Sequence, residues 1–353
     1  MAFEATKKEW SELYAFFRLL ADGQVKTESQ LLKVAKIQRE EHDGTRQYII
    51  GKTDVHIIGE KVDKCIPCEY FGEAADAVFA ALKSSSDLIV ESPEGIEEFL
   101  DDVAIFDLEA KTEDRTDFYV SFFDADAPLV GFCVRSKIGG MNPLLDGGRT
   151  ANLKFEMTGI KFATPTVSKV NALETPNGVA DRMMMIERLG GILKYADVAD
   201  RVFRCNLSMI DLHFPRMLAE MVRIMHLDGI TKINELTERI KVINPLKIKD
   251  ELIGKHGFYE YKMRQFLMAL ALGMRPAKIF NGTDSAVSGY LFVDSDGEMI
   301  CYQKGDKKEF EDFLFNNTRL EKGDTEKDKY GYLEKENGVL YFKLNVKIGF
   351  LKR

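Results

Sequence analysis

The stretch that decides the fold is Asp117 to Ile138, DFYVSFFDADAPLVGFCVRSKI. Upstream of it apolar residues recur every three to four positions; here they recur every second one, which is the period of a half-buried strand. Phe118–Phe123 predicts one strand, Asp124–Pro128 a turn, and Leu129–Ile138 an antiparallel partner. Strand alternation puts Phe132 and Val134 on the core side, and Cys133, Arg135 and Lys137 together on the other. Asp117 opens the first strand. Beyond Gly139-Gly140 and Asp146-Gly147-Gly148 a further alternating run, Asn152–Met157, sets Leu153, Phe155 and Met157 against Asn152, Lys154 and Glu156. If these three strands are neighbours, Asp117, two or three cations and Glu156 converge on one surface. Carboxylates that hold a metal beside cations that stabilise phosphoryl charge suit phosphodiester cleavage. The same residues equally suit cross-strand ion pairs on a solvated face, such as Arg135 with Glu156.

Working outward, Trp10, Leu13, Phe17 and Leu20 repeat at helical spacing and Gly23 follows as a stop. In that helix Glu12 flanks the apolar face and is a second candidate to reach a metal, with Glu9 behind it. Gly72–Lys83 and the segment after Ser92-Pro93, with Ile96, Phe99 and Leu100, predict two more helices. Ala180–Gly273 is largely helical in pattern. Gly289–Asp294 and Glu298–Lys304 flank Ser295-Asp296-Gly297 as a hairpin, a helix follows at Lys307–Asn316, and Tyr330–Glu334 with Val339–Phe350 flank Glu336-Asn337-Gly338. The expectation is an α+β chain: a mixed sheet core flanked by helices over 1–165, a helical region over 166–280, and a sheet-rich region over 281–353.

The 353 residues are 45% hydrophobic and 30% charged, a globular composition that excludes a disordered or collagen-like chain. No uncharged apolar run approaches the ~18 residues of a membrane helix, and the first thirty residues mix charges among their apolar positions, unlike a signal peptide. Five cysteines in a chain of this kind predict reduced thiols and a cytoplasmic protein. Cys65-Ile66-Pro67-Cys68 has the spacing of half a zinc site, but no second such pair accompanies it. Gly-x-Ser-x-Gly and Gly-x4-Gly-Lys-Ser/Thr sequences are missing, which leaves nucleophile-elbow hydrolases and P-loop enzymes without their signatures. Net charge is −8, so any polyanion partner must be met by a local basic stretch and not by bulk charge. Asp87–Asp126 carries 14 acids against Lys111 and Arg115, and the balance turns basic from Gly131 to Thr164.

Several blocks, in order, resemble the HpaII-type type II restriction endonucleases. They are Lys7-Lys8-Glu9-Trp10-Ser11-Glu12-Leu13-Tyr14, Ile37-Gln38-Arg39-Glu40-Glu41, Gly131–Lys137 with Ile138-Gly139-Gly140, Leu144-Leu145, and Thr150-Ala151-Asn152. Near the end come Gly289-Tyr290-Leu291-Phe292-Val293, Phe310–Asn317, Thr318-Arg319-Leu320-Glu321 and Tyr341–Val346. The resemblance implies a PD-(D/E)XK-type nuclease, a homodimer that cuts double-stranded DNA at CCGG with Mg²⁺, beside a cognate DNA methyltransferase. It assigns the metal aspartate to Asp117 and the first-helix glutamate to Glu12. On the second strand, where that group carries an acid, any residue, then lysine, this chain has Cys133-Val134-Arg135. Arg135 occupies the lysine's place and Lys137 lies two residues on. The missing acid falls to Glu156, with Glu12 as second choice. An arginine stays protonated and cannot act as a general base, so a non-cleaving, DNA-binding relative is the alternative. Arg149, Asn152 and Lys154 are the expected DNA contacts, with Arg319, Lys343 and Lys347 behind them.

Overall fold

The computed structural model describes residues 4–108, 116–282 and 286–351. They form a mixed α+β structure in two compact units, neither continuous in sequence: Met1–Asn142 with Ser285–Phe310, and Pro143–Asp284 with Glu311–Arg353. This grouping differs from the three consecutive regions expected above, because the hairpin after Ser285 belongs to the first unit and the strands after Glu311 to the second.

The first unit is built on a nine-stranded sheet. Its centre is the expected hairpin, Phe118–Phe122 antiparallel to Val130–Ser136. The long strand Leu31–Glu41 flanks Phe118–Phe122, and Val287–Val293 lies parallel to Val130–Ser136, with Met299–Gln303 beyond it. Gln24–Lys26 pairs both with Met299–Gln303 and with Leu31–Glu41, so six of the strands close into a ring. Gly44–Ile50, Asp54–Gly59 and Val62–Pro67 extend the sheet on the far side of Leu31–Glu41. Phe132, Cys133 and Val134 are all buried, so the second hairpin strand is covered on both faces and not only on the side of Phe132 and Val134.

This topology overturns the adjacency assumed for the third strand. Asn152–Thr158 is not hydrogen-bonded to the hairpin; it sits in a four-stranded antiparallel sheet of the second unit, between Ile192–Val198 and Val339–Asn345, with Leu333–Glu336 at the edge. Alternation fixed correctly which side chains are buried, Leu153, Phe155 and Met157, but alternation does not choose a strand's neighbour. The place beside Val130–Ser136 is taken by a strand some 150 residues later in the chain. Helices between Thr164 and Ala271, interrupted by the strand Ile192–Val198, belong to the second unit together with its sheets.

The first helix, Lys7–Asp22, begins with a capping box: Glu9 N–H donates to Thr6 Oγ1, and Thr6 N–H donates to Glu9 Oε2 at 2.7 Å. Gly23 ends it in the left-handed conformation, φ 60°. Trp10, Leu13, Phe17 and Leu20 are buried as their spacing predicts, and Glu12 is buried with them. Val62–Pro67 leads directly into the helix Cys68–Ser84, so Cys65 and Cys68 do bracket a strand-to-helix junction. Partial desolvation and the Asp54 carboxylate raise both thiols above their ordinary range, the opposite of what a reactive thiolate needs. Among the described residues no helix is long and apolar enough to cross a membrane.

Candidate active site

Asp117 stands at the mouth of the hairpin, one residue before the first strand. Its own N–H donates to Phe132 O at 2.8 Å, and its Oδ2 accepts from Val134 N–H at 2.6 Å. The second hairpin strand thus holds the residue twice, its backbone through Phe132 and its carboxylate through Val134. Glu12, from the first helix, lines one small pocket together with Asp117, Phe16, Arg39 and Leu108. It also lines a second pocket with Arg135, Lys8, Ser136 and the backbone from Gly140 to Asn142. Glu12 is therefore the wall shared by the aspartate's side and the arginine's side. Glu9 is engaged in the capping box, which decides between the two glutamates of that helix.

Arg135 extends over the Tyr290 ring, 4.7 Å from its centre, on the parallel strand that displaced Asn152–Thr158. Its Nη1 donates to Val134 O at 3.2 Å, while its Nε is buried and makes no hydrogen bond. Burial alone would lower its pKa, but Tyr290, Cys133 and Asp117 carry it above the ordinary arginine value. This is a fixed cation with an unused donor. Lys137 does not fill the same place. Its ammonium meets both carboxylate oxygens of Asp294 at 2.9 Å and lies 5.2 Å from the Phe292 ring centre, and the contact holds Asp294 below the usual carboxylate range despite partial burial.

A buried ion pair, Arg39 with Glu41, lies beside the site and is not marked by apolar periodicity. Arg39 donates to Glu41 Oε1 at 2.8 Å and to Leu108 O at 2.7 Å, and also to Asp107 O. Glu41 Oε2 accepts from Phe106 N–H and Asp107 N–H. The pair clamps residues 106–108, and its other members lie on the sheet strand next to the hairpin. Its signal was available: in Ile37-Gln38-Arg39-Glu40-Glu41 the two outer charges share the inward phase with Ile37.

The remaining expected residues lie in the second unit. Glu156 stands opposite Lys194 and Tyr341 in its sheet, so the sheet adjacency that brought it to Asp117 is absent. Asn152 is buried, its Nδ2 donating to the carbonyls of Asp328 and Lys329 at 2.8 and 3.2 Å and its Oδ1 accepting from Asn345. Lys154 pairs with Glu336 and lies 4.3 Å from the Tyr341 ring centre. Lys343 bridges Glu334 and Glu336, Lys347 meets Asp146, and Arg319 meets Glu321. Of the residues expected to touch DNA, Arg149 is exposed, with a single 3.3 Å bond from Nε to Lys327 O.

A hairpin aspartate and a helix glutamate that share a pocket, with a fixed cation on the glutamate's other side, can hold a metal and act on a phosphodiester. The HpaII restriction endonuclease family model matches residues 6–350. The type II restriction enzyme HpaII of Haemophilus parainfluenzae is 32% identical, over 99% of this chain and 99% of its own. No solved structure gives a significant match. The chain belongs to the HpaII restriction endonuclease family, and it is a type II site-specific deoxyribonuclease.

Proposed function

We propose that the protein is a Mg²⁺-dependent homodimeric endonuclease that hydrolyses both strands of a short palindrome, CCGG, from a core of the restriction-endonuclease type. The observation that carries the reading is the pocket shared by Glu12 and Asp117, with Arg135 on the far side of Glu12. Among the described residues no group of three His, Cys, Asp or Glu side chains can hold a metal by itself. Two carboxylates completed by water and substrate phosphate fit Mg²⁺, which takes one or two protein carboxylates and keeps the rest of its octahedron for water and phosphate. Glu12 and Asp117 are thus the metal ligands of this proposal, and Glu12 replaces Glu156 as the second acid. Glu12 and Asp117 would hold the ion, and a Mg²⁺ there would supply a water of lowered pKa and polarise the phosphoryl oxygen.

The chain's own residues supply the rest. Val134 N–H and the Phe132 carbonyl fix Asp117 in position. Arg135 sets a fixed positive charge beside the phosphate as charge builds on it, and its stacking on Tyr290 keeps the guanidinium in place. A water oxygen would bond to phosphorus as the ester P–O bond breaks, the water's proton passing to solvent and a solvent proton to the leaving oxygen. Arg149 contacts the DNA backbone, since it alone of the three expected contacts is exposed. Two copies related by a two-fold axis place two such sites on the two strands of a palindrome. A cognate methyltransferase protects the host's own sites.

Digestion of a methyl-free plasmid of known sequence, with Mg²⁺ and with EDTA, tests the proposal. Mg²⁺-dependent fragments ending within CCGG are expected. Fragments ending elsewhere would discard the site and keep the chemistry. An intact plasmid that is still bound at CCGG would favour the non-cleaving alternative, for which the specific observation is an arginine in the lysine's place.

A further inference from the structure

Arg135 leaves one role open. A permanently protonated, ring-stacked guanidinium supplies charge but little mobility, and Lys137 is held by Asp294. Two lysines open the first helix, and they are placed differently. Lys7 Nζ donates to Ser85 O at 2.7 Å and anchors the helix start. Lys8 Nζ lies 3.2 Å from Glu12 Oε1, one turn on, and its side chain is 36% exposed against 8% for Glu12. Lys8 also lines the pocket that holds Glu12 and the buried Nε of Arg135. A partly exposed lysine on a flexible stem thus rests on the carboxylate assigned above to the metal.

On the strength of that assignment, we propose that Lys8 is a catalytic residue serving the site in two states. Before metal binds, its ammonium neutralises Glu12, so that DNA phosphate can approach a pocket lined by two acids. When a divalent cation takes the Glu12 carboxylate, the ammonium turns to a non-bridging oxygen of the scissile phosphate, beside Arg135. A divalent ion at coordination distance outcompetes a single charge at 3.2 Å for the same oxygen. The lysine keeps its protons throughout and only exchanges one ion-pair partner for another.

The two states give Lys8→Met a signature that a structural residue lacks. In EDTA, with duplex carrying the cognate site, Lys8→Met exposes Glu12 to the phosphates and weakens binding about tenfold. The Glu12→Gln/Lys8→Met double variant then binds within about twofold of Glu12→Gln alone, because the charge that Lys8 masks is gone. With saturating Mg²⁺, single-turnover cleavage by Lys8→Met falls about a hundredfold. Lys8→Arg keeps the charge, binds in EDTA within about twofold of the unaltered protein and retains at least about a tenth of its cleavage rate, which separates loss of charge from loss of fold. The proposal is overturned if Lys8→Met binds normally in EDTA, if the two substitutions simply add, if Lys8→Met cleaves at the unaltered rate, or if Lys8→Arg fails as badly as Lys8→Met. Asp117→Asn guards the layer beneath: cleavage surviving that change would sink the whole site, whereas a dead Asp117→Asn beside a fully active Lys8→Met would remove Lys8 alone.

Discussion

Two sheets in this chain carry acids and bases in alternating phase, and they use them in opposite ways. In the second unit Lys154, Lys343, Glu334 and Glu336 form a ladder across three strands, each charge meeting another at 2.5 to 2.8 Å. Hydrogen bonds from Lys154 and Lys343 hold Glu336 below the ordinary glutamate range. Burial alone would lower Lys343, yet its bonds to Glu334 and Glu336 raise it. In the first unit Glu12, Asp117 and Arg135 come from a helix, a hairpin mouth and a strand, and Arg135 keeps a buried donor that makes no hydrogen bond. Residue types are alike in the two places, but only the ladder has them at cross-strand spacing. What sets the first unit's group apart is the buried Nε of Arg135 that makes no hydrogen bond, where every charge of the ladder meets an opposite one.

The largest expected effects test that separation directly. Asp117→Asn keeps the shape and removes the charge, and cleavage is expected to fall about a thousandfold or more, with duplex binding intact. Glu12→Gln lowers the single-turnover rate about a hundredfold, whereas Glu156→Gln stays within about threefold of the unaltered enzyme. Equal losses from the two glutamate variants would break the comparison and restore Glu156 to the metal. A buried pair behind the site gives an effect of similar size on stability. Arg39→Met leaves Glu41, whose pKa burial already raises against the pull of Arg39, uncompensated in the interior, and should cost about 3–5 kcal/mol in denaturant unfolding. Adding Glu41→Gln should restore most of it, since the two backbone N–H groups that bond Glu41 retain an acceptor.

The contrast between Glu12 and Glu156 also shows where sequence stops speaking. Alternation is a local signal, and it marked the strands Phe118–Phe122, Val130–Ser136 and Asn152–Thr158, though Cys133 and Asn152, set on the outer faces, are buried as well. Helical spacing likewise placed Trp10 and Glu12 on one element. Strand neighbours are a non-local matter: Val287–Val293 wins the place beside Arg135 through parallel pairing, which nothing in residues 117–157 announces. The strands of 24–67 escaped for a different reason. Arg39, Glu41 and Arg46 are buried charges on the inward phase, and they blur the apolar alternation that reveals a strand.

A smaller effect comes from the second unit's own buried titratable group. His226 is 6% exposed, and burial, aided by Lys322, pushes its pKa down to about 4 from an ordinary 6.5. Because the folded value lies below the unfolded one, the unfolded chain takes up the proton first as pH falls. Stability from this residue is complete above the unfolded pKa and is lost between about pH 6.5 and 4. Urea unfolding at pH 7 and pH 5 should show a loss that is smaller by about 2 kcal/mol in His226→Phe. An unchanged pH difference would mean that His226 is hydrated in the folded protein. The first unit's site should be indifferent to the substitution, so cleavage at pH 7.5 measures the independence of the two regions.

The smallest effect is the most informative about the ladder. Lys154 was expected to reach DNA, but its ammonium is held by Glu336 and rests against Tyr341, and leaving both contacts for a phosphate would strip Glu336 of one of its two lysines. Lys154→Met keeps the stem against the ring and removes only the charge. Unfolding free energy should change by no more than about 1 kcal/mol, the usual scale for a partly exposed ion pair with its side-chain entropy already counted against it. Duplex affinity should stay within about threefold and its dependence on salt should keep the same slope, because a lysine that contacts no phosphate releases no counterion on binding. The same two measurements on Arg149→Met should lower the slope by about one and weaken binding to every sequence alike. Should Lys154→Met behave as Arg149→Met is expected to, then the ladder opens when DNA arrives, and its pairing in the free protein is a resting state rather than an end in itself.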